Sequence, residues 1–151
     1  MRSLICLILL LPLAATADQG AVSATLDKFH AAAANARFDD YFSLFTDDGW
    51  FLGTDASERW SVAEFKQYAK PAFDDGRGWR YDKLERNVML SADGDLAWFD
   101  EILENQKLGR CRGTGVLRLE DGKWRIAHYS LTMLIPNEIA YDVGKKSKAM
   151  D

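Results

Sequence analysis

Apolar and polar residues alternate along three stretches in the second half of the chain: 96–106 (LAWFDEILENQ), 111–120 (CRGTGVLRLE) and 123–134 (KWRIAHYSLTML). Alternation with a period of two is typical of β-strands that bury one face. Turn-forming pairs separate the stretches, Leu108-Gly109 after the first and Asp121-Gly122 after the second. The pattern therefore predicts three antiparallel strands joined by two hairpins.

If each hairpin has a two-residue turn, the turns also decide which residues face each other. Gly115 then faces both Ile102 and His128, and Leu117 faces Ile126. One face of the sheet is predicted to carry Trp98, Asp100, Ile102, Glu104, Gly113, Gly115, Leu117, Leu119, Trp124, Ile126, His128 and Ser130. Two carboxylates and an imidazole on an otherwise apolar face predict a cavity with polar groups inside it.

Helical periodicity dominates the first half of the chain. Residues 23–36 are rich in alanine, with apolar residues at helical spacing, and residues 38–45 predict a second, short helix. Ser61 and Glu64 fit a capping box that opens a third helix, which reaches Phe73. The other predicted elements are strands at 50–53, 59–60 and 80–91 and a terminal helix at 137–143. Helices gathered on one face of an antiparallel sheet make an α+β fold.

The first 17 residues have the pattern of a secretory signal peptide. Arg2 precedes an apolar stretch at 4–13 and a small-residue cleavage site at 15–17. The apolar stretch is too short to span a membrane, and Cys6 lacks the small residues that precede a lipidated cysteine. We expect an exported protein, periplasmic or secreted, without a stable membrane anchor.

Removal of residues 1–17 would leave Cys111 as the only cysteine, so no intramolecular disulfide is expected. The remaining chain is expected to form one domain at residues 21–136, followed by a tail at residues 137–151. The stability of that domain must then come from its apolar core.

Composition excludes several classes of function. The chain of 151 residues has a formal net charge of −4 and no stripe of basic residues, so nucleic acid is not expected as a partner. Its two histidines lie far apart, and neither CxxC nor HExxH spacing occurs. Phosphate-binding glycine loops and dinucleotide fingerprints are missing from the sequence as well. We therefore expect neither a metal ion nor a cofactor.

Four segments resemble one known superfamily: FDDYFSLFTDDGWFLGTDASERWS (38–61), EFKQYAKPAF (64–73), GDLAWFDE (94–101) and GKWRIAHYSL (122–131). With the order of predicted elements, they resemble SnoaL-like proteins of the nuclear transport factor 2-like (NTF2-like) superfamily. The resemblance implies a cystatin-like cone, in which a curved antiparallel sheet wraps around N-terminal helices. It also implies a ligand cavity inside the cone. The superfamily includes isomerases, cyclases, dehydratases and binding modules.

Related enzymes generally use a carboxylate that projects from the sheet into the cone as a general base. The resemblance and the predicted face together make Asp100 or Glu104 the candidate base, and His128 a candidate for proton exchange. Each has a structural alternative. The carboxylates could pair with Arg110 or Arg112 at the sheet edge, and His128 could be a half-buried histidine bonded to a neighbour.

Aromatic residues are candidates for the walls of the cavity. Trp79 lies beside two glycines and could form a lid, and Tyr41 and Tyr68 could donate hydrogen bonds from helices. Packing of the core explains most of these aromatic residues equally well. The full set of candidate ligand-binding residues is Tyr41, Trp50, Tyr68, Trp79, Ile102, Gly113, Gly115 and Ser130.

The opposite face of the sheet is predicted to be apolar at its centre and charged at its rim, which is the composition of a dimer interface. It is expected to carry Phe99, Leu103, Val116, Tyr129 and Leu131 among Glu101, Arg118 and Arg125. The first hypothesis is thus an exported homodimer that binds a small, largely apolar ligand. The second is an isomerase, cyclase or dehydratase of the same fold. The third is an interaction module whose cavity is filled by side chains.

Overall fold

The computed structural model describes residues 19–150, so the predicted signal peptide at residues 1–17 lies outside the described residues. The elements in chain order are α1 (Gln19–Ala34), α2 (Phe38–Phe42), β1 (Phe45–Leu52), β2 (Arg59–Ser61), α3 (Val62–Asp74), β3 (Asp82–Leu90), β4 (Leu96–Asn105), β5 (Gly109–Glu120), β6 (Lys123–Met133) and α4 (Asn137–Ser147). The predicted α+β fold, with helices first and a curved antiparallel sheet after them, is confirmed.

The strands form one sheet in the order β2-β1-β6-β5-β4-β3. All neighbouring pairs are antiparallel except β1 and β6, which run parallel. The predicted capping box at α3 is confirmed: Ser61 Oγ accepts from the Glu64 amide, and Glu64 Oε2 accepts from the Ser61 amide at 2.8 Å. Pro71 lies inside α3, which continues to Asp74.

The hairpin between β4 and β5 differs from the predicted one. Asn105 pairs with Gly109, so three residues rather than two make the turn. The side chain of Asn105 closes this turn, since its Oδ1 accepts from the amides of Lys107 and Leu108 at 2.9 Å each. Ile102 consequently faces an arginine of β5, three positions away from the predicted Gly115. A shift by an odd number of residues turns β4 over.

A bulge changes the second half of β6. The predicted pair of Leu117 and Ile126 is confirmed, but the next pair joins Val116 to His128 and leaves Ala127 as an extra residue. Gly115 therefore faces Tyr129 instead of His128. From the bulge onward, every residue of β6 faces the side of the sheet opposite to the predicted one.

These two irregularities decide which side chains enter the cone. The inward face carries Ala97, Phe99, Glu101, Leu103, Cys111, Gly113, Gly115, Leu117, Trp124, Ile126, Tyr129 and Leu131. The prediction that Asp100, Glu104 and His128 face inward was wrong. The prediction for β5 and for the first half of β6 was correct, because neither irregularity affects them.

The predicted composition of the outer face was wrong in β4 and in the second half of β6 for the same reason, whereas Val116, Arg118 and Arg125 lie on that face as predicted. Phe99, Leu103, Tyr129 and Leu131 are buried in the core together with Glu101. The side chains between these buried residues lie on the outer face of the sheet. Trp98 is one of them, and it is 45% exposed.

Helices α1, α2 and α3 close the cone with aromatic and aliphatic side chains. Phe29 of α1 stacks on Tyr41 of α2 with ring centroids 4.6 Å apart, and Phe65 of α3 stacks on Phe51 of β1 at 4.0 Å. Among the described residues that are buried as a whole, backbone and side chain together, Thr46 and Glu101 are the only polar or charged ones apart from tyrosine. The buried carboxylate is therefore the most unusual feature of this core.

The terminal helix α4 is present, as predicted, but buries none of its residues. Ile139 and Tyr141 are 50% and 81% exposed. None of the helices between residues 19 and 150 is long and apolar enough to cross a membrane.

Candidate functional site

The cone has an open pocket of about 180 Å³ at its mouth. It lies between α3, the β1–β2 hairpin and the end of β6. Its lining consists of Phe51, Gly53, Thr54, Glu58, Trp60, Phe65, Tyr68, Trp79, Tyr81 and Leu131. Six of these ten residues are aromatic, so the walls suit a ligand with a flat apolar surface.

A stack of rings forms one side of this pocket. Trp60 lies near-parallel to Tyr68, with centroids 4.4 Å apart, and to Phe65 at 5.5 Å. Phe65 and Tyr68 are three residues apart on α3, so the helix places both on the same side. Phe65 is buried, whereas Tyr68 is 55% exposed. The stack therefore carries apolar surface from the core out to solvent.

Glu58 and Tyr81 are two of the polar side chains that line the pocket. Glu58 ends the β1–β2 turn, where its carbonyl accepts from the Gly53 amide at 2.8 Å and its Oε2 accepts from the Asp55 amide at 3.2 Å. A Cβ at Gly53 would overlap the Glu58 carboxylate, so only glycine leaves that side chain its place. Burial raises the pKa of Tyr81 to about 12, with the charges of Cys111 and Glu58 adding to it. The phenol of Tyr81 is accordingly a hydrogen-bond donor at neutral pH.

The inner end of the cone is almost filled by side chains. The free space there is about 10 Å³, enough for roughly one water molecule. It is bounded by Phe29, His30, Tyr41 and Tyr129 and by residues that also line the outer pocket. Burial raises the pKa of the Tyr41 phenol well above its usual range.

Glu101 lies behind this inner end and is fully buried. Its Oε1 lies 2.7 Å from His30 Nε2 and accepts from the Tyr129 hydroxyl at 2.9 Å. Its Oε2 accepts from Arg86 Nε at 2.8 Å. An ionised carboxylate only accepts hydrogen bonds, so Nε2 of His30 carries a proton here.

The surroundings of Glu101 favour its ionised form. Burial alone would raise the pKa of this carboxyl, but the hydrogen bond and charge of His30 and the charge and hydrogen bond of Arg86 outweigh burial. The net direction is a pKa below the usual value. Three donors thus hold one buried negative charge.

Arg86 links this carboxylate to the surface. Its side chain is 3% exposed, and its terminal nitrogen donates to the Ser23 carbonyl and to Asp27 Oδ1, each at 2.8 Å. Lys83 also donates to Asp27, at 2.8 Å. Partial burial would raise the pKa of Asp27, but Lys83 and Arg86 lower it overall. Charges of alternating sign therefore run from the buried Glu101 to solvent.

Gly113 makes this arrangement possible. It pairs with Glu101 across β4 and β5, and both residues face into the cone. A Cβ at this position would overlap the Tyr129 hydroxyl and lie 2.8 Å from Glu101 Oε1. A side chain at position 113 would therefore displace the groups that bond to the carboxylate.

An imidazole oriented by a buried carboxylate has the geometry of a proton-transfer group. Glu101 fixes the orientation of the His30 ring, and Arg86 keeps Glu101 charged. Between residues 19 and 150, no group of three or more histidine, cysteine or acidic side chains is placed to hold a metal ion.

The three predicted catalytic residues lie outside the pocket. Asp100 accepts from Asn87 Nδ2 at 3.1 Å on the outer face of the sheet. Glu104 accepts from Arg110 Nε at 3.0 Å, which is one of the pairings predicted as the alternative to catalysis. His128 is half-buried on the outer face, opposite Val116.

The predicted ligand-binding residues divide into three groups. Tyr68 and Trp79 line the outer pocket, and Tyr41 and Trp79 line its inner end. The second group, Trp50, Ile102 and Ser130, lies on the outer face of the sheet. Among these, Trp50 is covered by the Arg59 guanidinium, 3.8 Å from the ring centroid.

Gly113 and Gly115 form the third group, since both are buried in the cone but line neither space. Phe99 packs where a side chain of Gly115 would lie, and Tyr129 and Glu101 do the same at Gly113. The free volume lies at the mouth of the cone, beside α3, instead of at these glycines.

The sequence prediction missed Glu58, His30, Arg86 and Glu101. A signal for His30 was available, because it lies four residues after Leu26 and so shares the buried side of α1. Glu101 lies in the apolar alternation Ala97, Phe99, Leu103 once β4 is turned over. No local pattern marks Arg86 or Glu58 as residues of a site.

Comparison with known proteins agrees with this fold. Residues 22–136 match the SnoaL-like domain family. No curated protein matches the chain. Among solved structures, a domain of unknown function with a cystatin-like fold from Nostoc punctiforme is similar with a TM-score of 0.67 and 17% identity, over 88% of this chain and 87% of that one.

Two further structures with similar folds have suggested roles. A proposed ketosteroid isomerase from Shewanella frigidimarina has a TM-score of 0.60 and 17% identity, over 74% of this chain and 94% of that one. A proposed calcium/calmodulin dependent protein kinase II association domain from Xanthomonas campestris has a TM-score of 0.55 and 25% identity, over 75% of this chain and 85% of that one. These likenesses show the fold.

Proposed function

Because the chain belongs to the SnoaL-like domain family, we propose that it binds a small, largely apolar and flat molecule at the mouth of its cone. The observation that carries this proposal is the open pocket with its ring stack of Phe65, Trp60 and Tyr68, which runs from the buried core to solvent. The rings of Tyr68 and Trp60 are partly uncovered, at a free-energy cost that a ligand would remove.

The size of the pocket limits the ligand. About 180 Å³ is less than the roughly 300–1,000 Å³ of pockets for drug-sized molecules. A molecule of one or two fused rings therefore fits. The inner end, with about 10 Å³, has no room for a second ring system.

Calorimetric titration with 2-naphthol tests this proposal. We expect Tyr68→Ala to weaken binding about fivefold, because one stacking ring contributes about 1 kcal/mol. Tyr141→Ala is the matched control, since Tyr141 is an exposed aromatic residue of α4 that does not line the pocket. Equal affinity in the wild type and both variants would contradict the assignment of the pocket.

A second candidate function is proton transfer, in an isomerase, cyclase or dehydratase. The observation that favours it is His30, oriented by the buried Glu101 at the inner end of the pocket. A substrate would have to widen that end before it could touch the imidazole. Asp100 and Glu104 lie on the outer face of the sheet, away from the pocket, so His30 replaces them as the candidate base.

Proton abstraction from 5-nitrobenzisoxazole, a general probe for positioned bases, tests the second candidate. His30→Gln should abolish any rate above the buffer background, whereas His128→Gln on the outer face should leave that rate unchanged. A wild-type rate equal to the background would remove the enzyme candidate and leave ligand binding intact.

We also propose a homodimer through the outer face of the sheet. The exposed Trp98 supports it, and so does the likeness to a proposed association domain. Trp98→Lys should halve the mass measured by light scattering, and Tyr141→Lys on the exposed α4 should not. A monomeric wild type would contradict this proposal.

Export of the protein is the remaining part of the proposal, and the signal-peptide pattern of residues 1–17 supports it. N-terminal sequencing of protein from the periplasm or the medium should begin at Asp18. An intact Met1 on all of the recovered protein would contradict export by this route.

A further inference from the structure

The charge at the mouth of the pocket is negative. Of the described residues that line it, Glu58 is the only charged one. Its Oε2 accepts from the Asp55 amide, while Oε1 has no hydrogen-bond partner among the described residues. The pocket therefore combines aromatic walls with one carboxylate oxygen that is free to accept.

Cations that could neutralise this carboxylate have other partners. Arg59, the next residue along the chain, lies over the ring of Trp50 on the outer face. Arg80, beside Tyr81, pairs with Asp82 at 3.0 Å. The negative potential of Glu58 is therefore directed at whatever occupies the pocket.

The aromatic walls, like Glu58, favour a positively charged ligand. Indole and phenol rings carry negative potential on their faces and attract organic cations within about 6 Å. Trp60, Tyr68, Trp79 and Tyr81 all line the pocket with Glu58. An ammonium group on a small apolar ligand would meet both kinds of attraction, whereas a carboxylate or phosphate would meet repulsion from each.

We propose that the natural ligand of this pocket is an organic cation, a small apolar molecule that carries an amine or quaternary ammonium group bound between Glu58 and the aromatic walls. This inference rests on the proposed ligand-binding function and specifies its ligand class. Gly53 contributes to the same binding site, because it leaves room for the Glu58 side chain at the rim.

Two probes of nearly equal shape separate charge from apolar burial. Phenyltrimethylammonium is a cation, and tert-butylbenzene is its neutral isostere. Calorimetry should give the cation about tenfold higher affinity for the wild type, the magnitude that partly desolvated cation–π contacts supply. Glu58→Gln should remove only the share of the carboxylate, about threefold of the cation's affinity, because the aromatic walls remain, and should leave the neutral probe within twofold.

Unchanged binding of the neutral probe also shows that Glu58→Gln keeps the pocket intact. Asp93→Asn, a neutralised carboxylate at the exposed turn before β4, is the control for net charge and should change neither affinity. Equal affinity of the two probes for the wild type would overturn the cation assignment and leave the ligand-binding function standing. Binding of neither probe, nor of 2-naphthol, would overturn both.

Discussion

At the scale of single residues, Gly113 and Glu101 depend on each other. The glycine has no side chain where the hydroxyl of Tyr129 and the carboxylate of Glu101 need space. Glycine in a strand interior ordinarily weakens a sheet, so its presence here has a specific cause. A side chain at this position would displace the groups that donate hydrogen bonds to the buried Glu101 carboxylate.

Gly113→Ala should therefore lower the free energy of unfolding by about 2–3 kcal/mol, because overpacking also separates Glu101 from Tyr129. Urea denaturation measures this loss. Gly144→Ala in α4 is the matched control, since a Cβ there meets nothing within 4 Å. A loss of similar size in both variants would show that the packing at Gly113 is not the reason.

The buried Glu101 also gives a dependence of stability on pH. Its pKa in the folded state is lowered, as is that of Asp27. A carboxyl with a lowered folded pKa stabilises the fold above its unfolded pKa, near 4, and this contribution disappears as the pH falls through the folded pKa. The protein should thus lose stability progressively below about pH 4.

Glu101→Gln should reduce the free energy of unfolding at pH 7 by about 3 kcal/mol, because Arg86 loses its buried counter-charge and keeps only the exposed Asp27. The variant should also lose less stability than the wild type between pH 5 and pH 3, as followed by urea denaturation. Glu104→Gln, on the same strand but exposed, should behave like the wild type. An unchanged pH profile in Glu101→Gln would contradict the account.

Residue-level prediction from sequence failed at the charged groups for a physical reason. Asp100 and Glu101 are neighbours on a strand, and only one of them can face the core. Which one does so depends on register, not on the chemistry of either residue. Burial of Glu101 is possible only because His30, Arg86 and Tyr129 converge on it from distant parts of the chain.

At the scale of elements, the alternating pattern predicted every strand of the hairpins, but it gave the wrong face for β4 and for the second half of β6. The three-residue turn after β4 depends on the Asn105 side chain, which competes with a tighter hairpin. The bulge at Ala127 has no glycine or other local marker. Local signals were sufficient where a motif is self-contained, as in the capping box of Ser61 and Glu64.

The helix α4 should contribute nothing to the stability of the cone, because none of its residues is buried. A chain that ends at Pro136 should keep its free energy of unfolding within about 0.5 kcal/mol of the full-length value. Urea denaturation of both forms tests this expectation. A larger loss would mean that α4 packs on the cone in solution.

At the scale of the whole molecule, the order of elements and the resemblance to SnoaL-like proteins predicted the fold and the family, and both are confirmed. The location of the pocket was not predictable in the same way. Aromatic side chains fill the narrow end of the cone, so the free volume lies at its mouth beside α3. Only the packing of all the rings together decides where space remains.

The central claim is that the mouth of the cone, and no other surface, binds a small apolar ligand. Four of the five tryptophans of the chain allow a direct test. Trp60 and Trp79 line the pocket, and Trp50 and Trp98 lie on the outer face of the sheet. Each indole N–H gives its own signal in a ¹⁵N–¹H correlation spectrum and can be assigned with single Trp→Phe variants.

Titration with 2-naphthol should shift the indole signals of Trp60 and Trp79 with one common saturation curve. The signals of Trp50 and Trp98 should stay in place. Shifts confined to the outer-face tryptophans, or no shift at saturating probe, would contradict the claim that this pocket is the binding site.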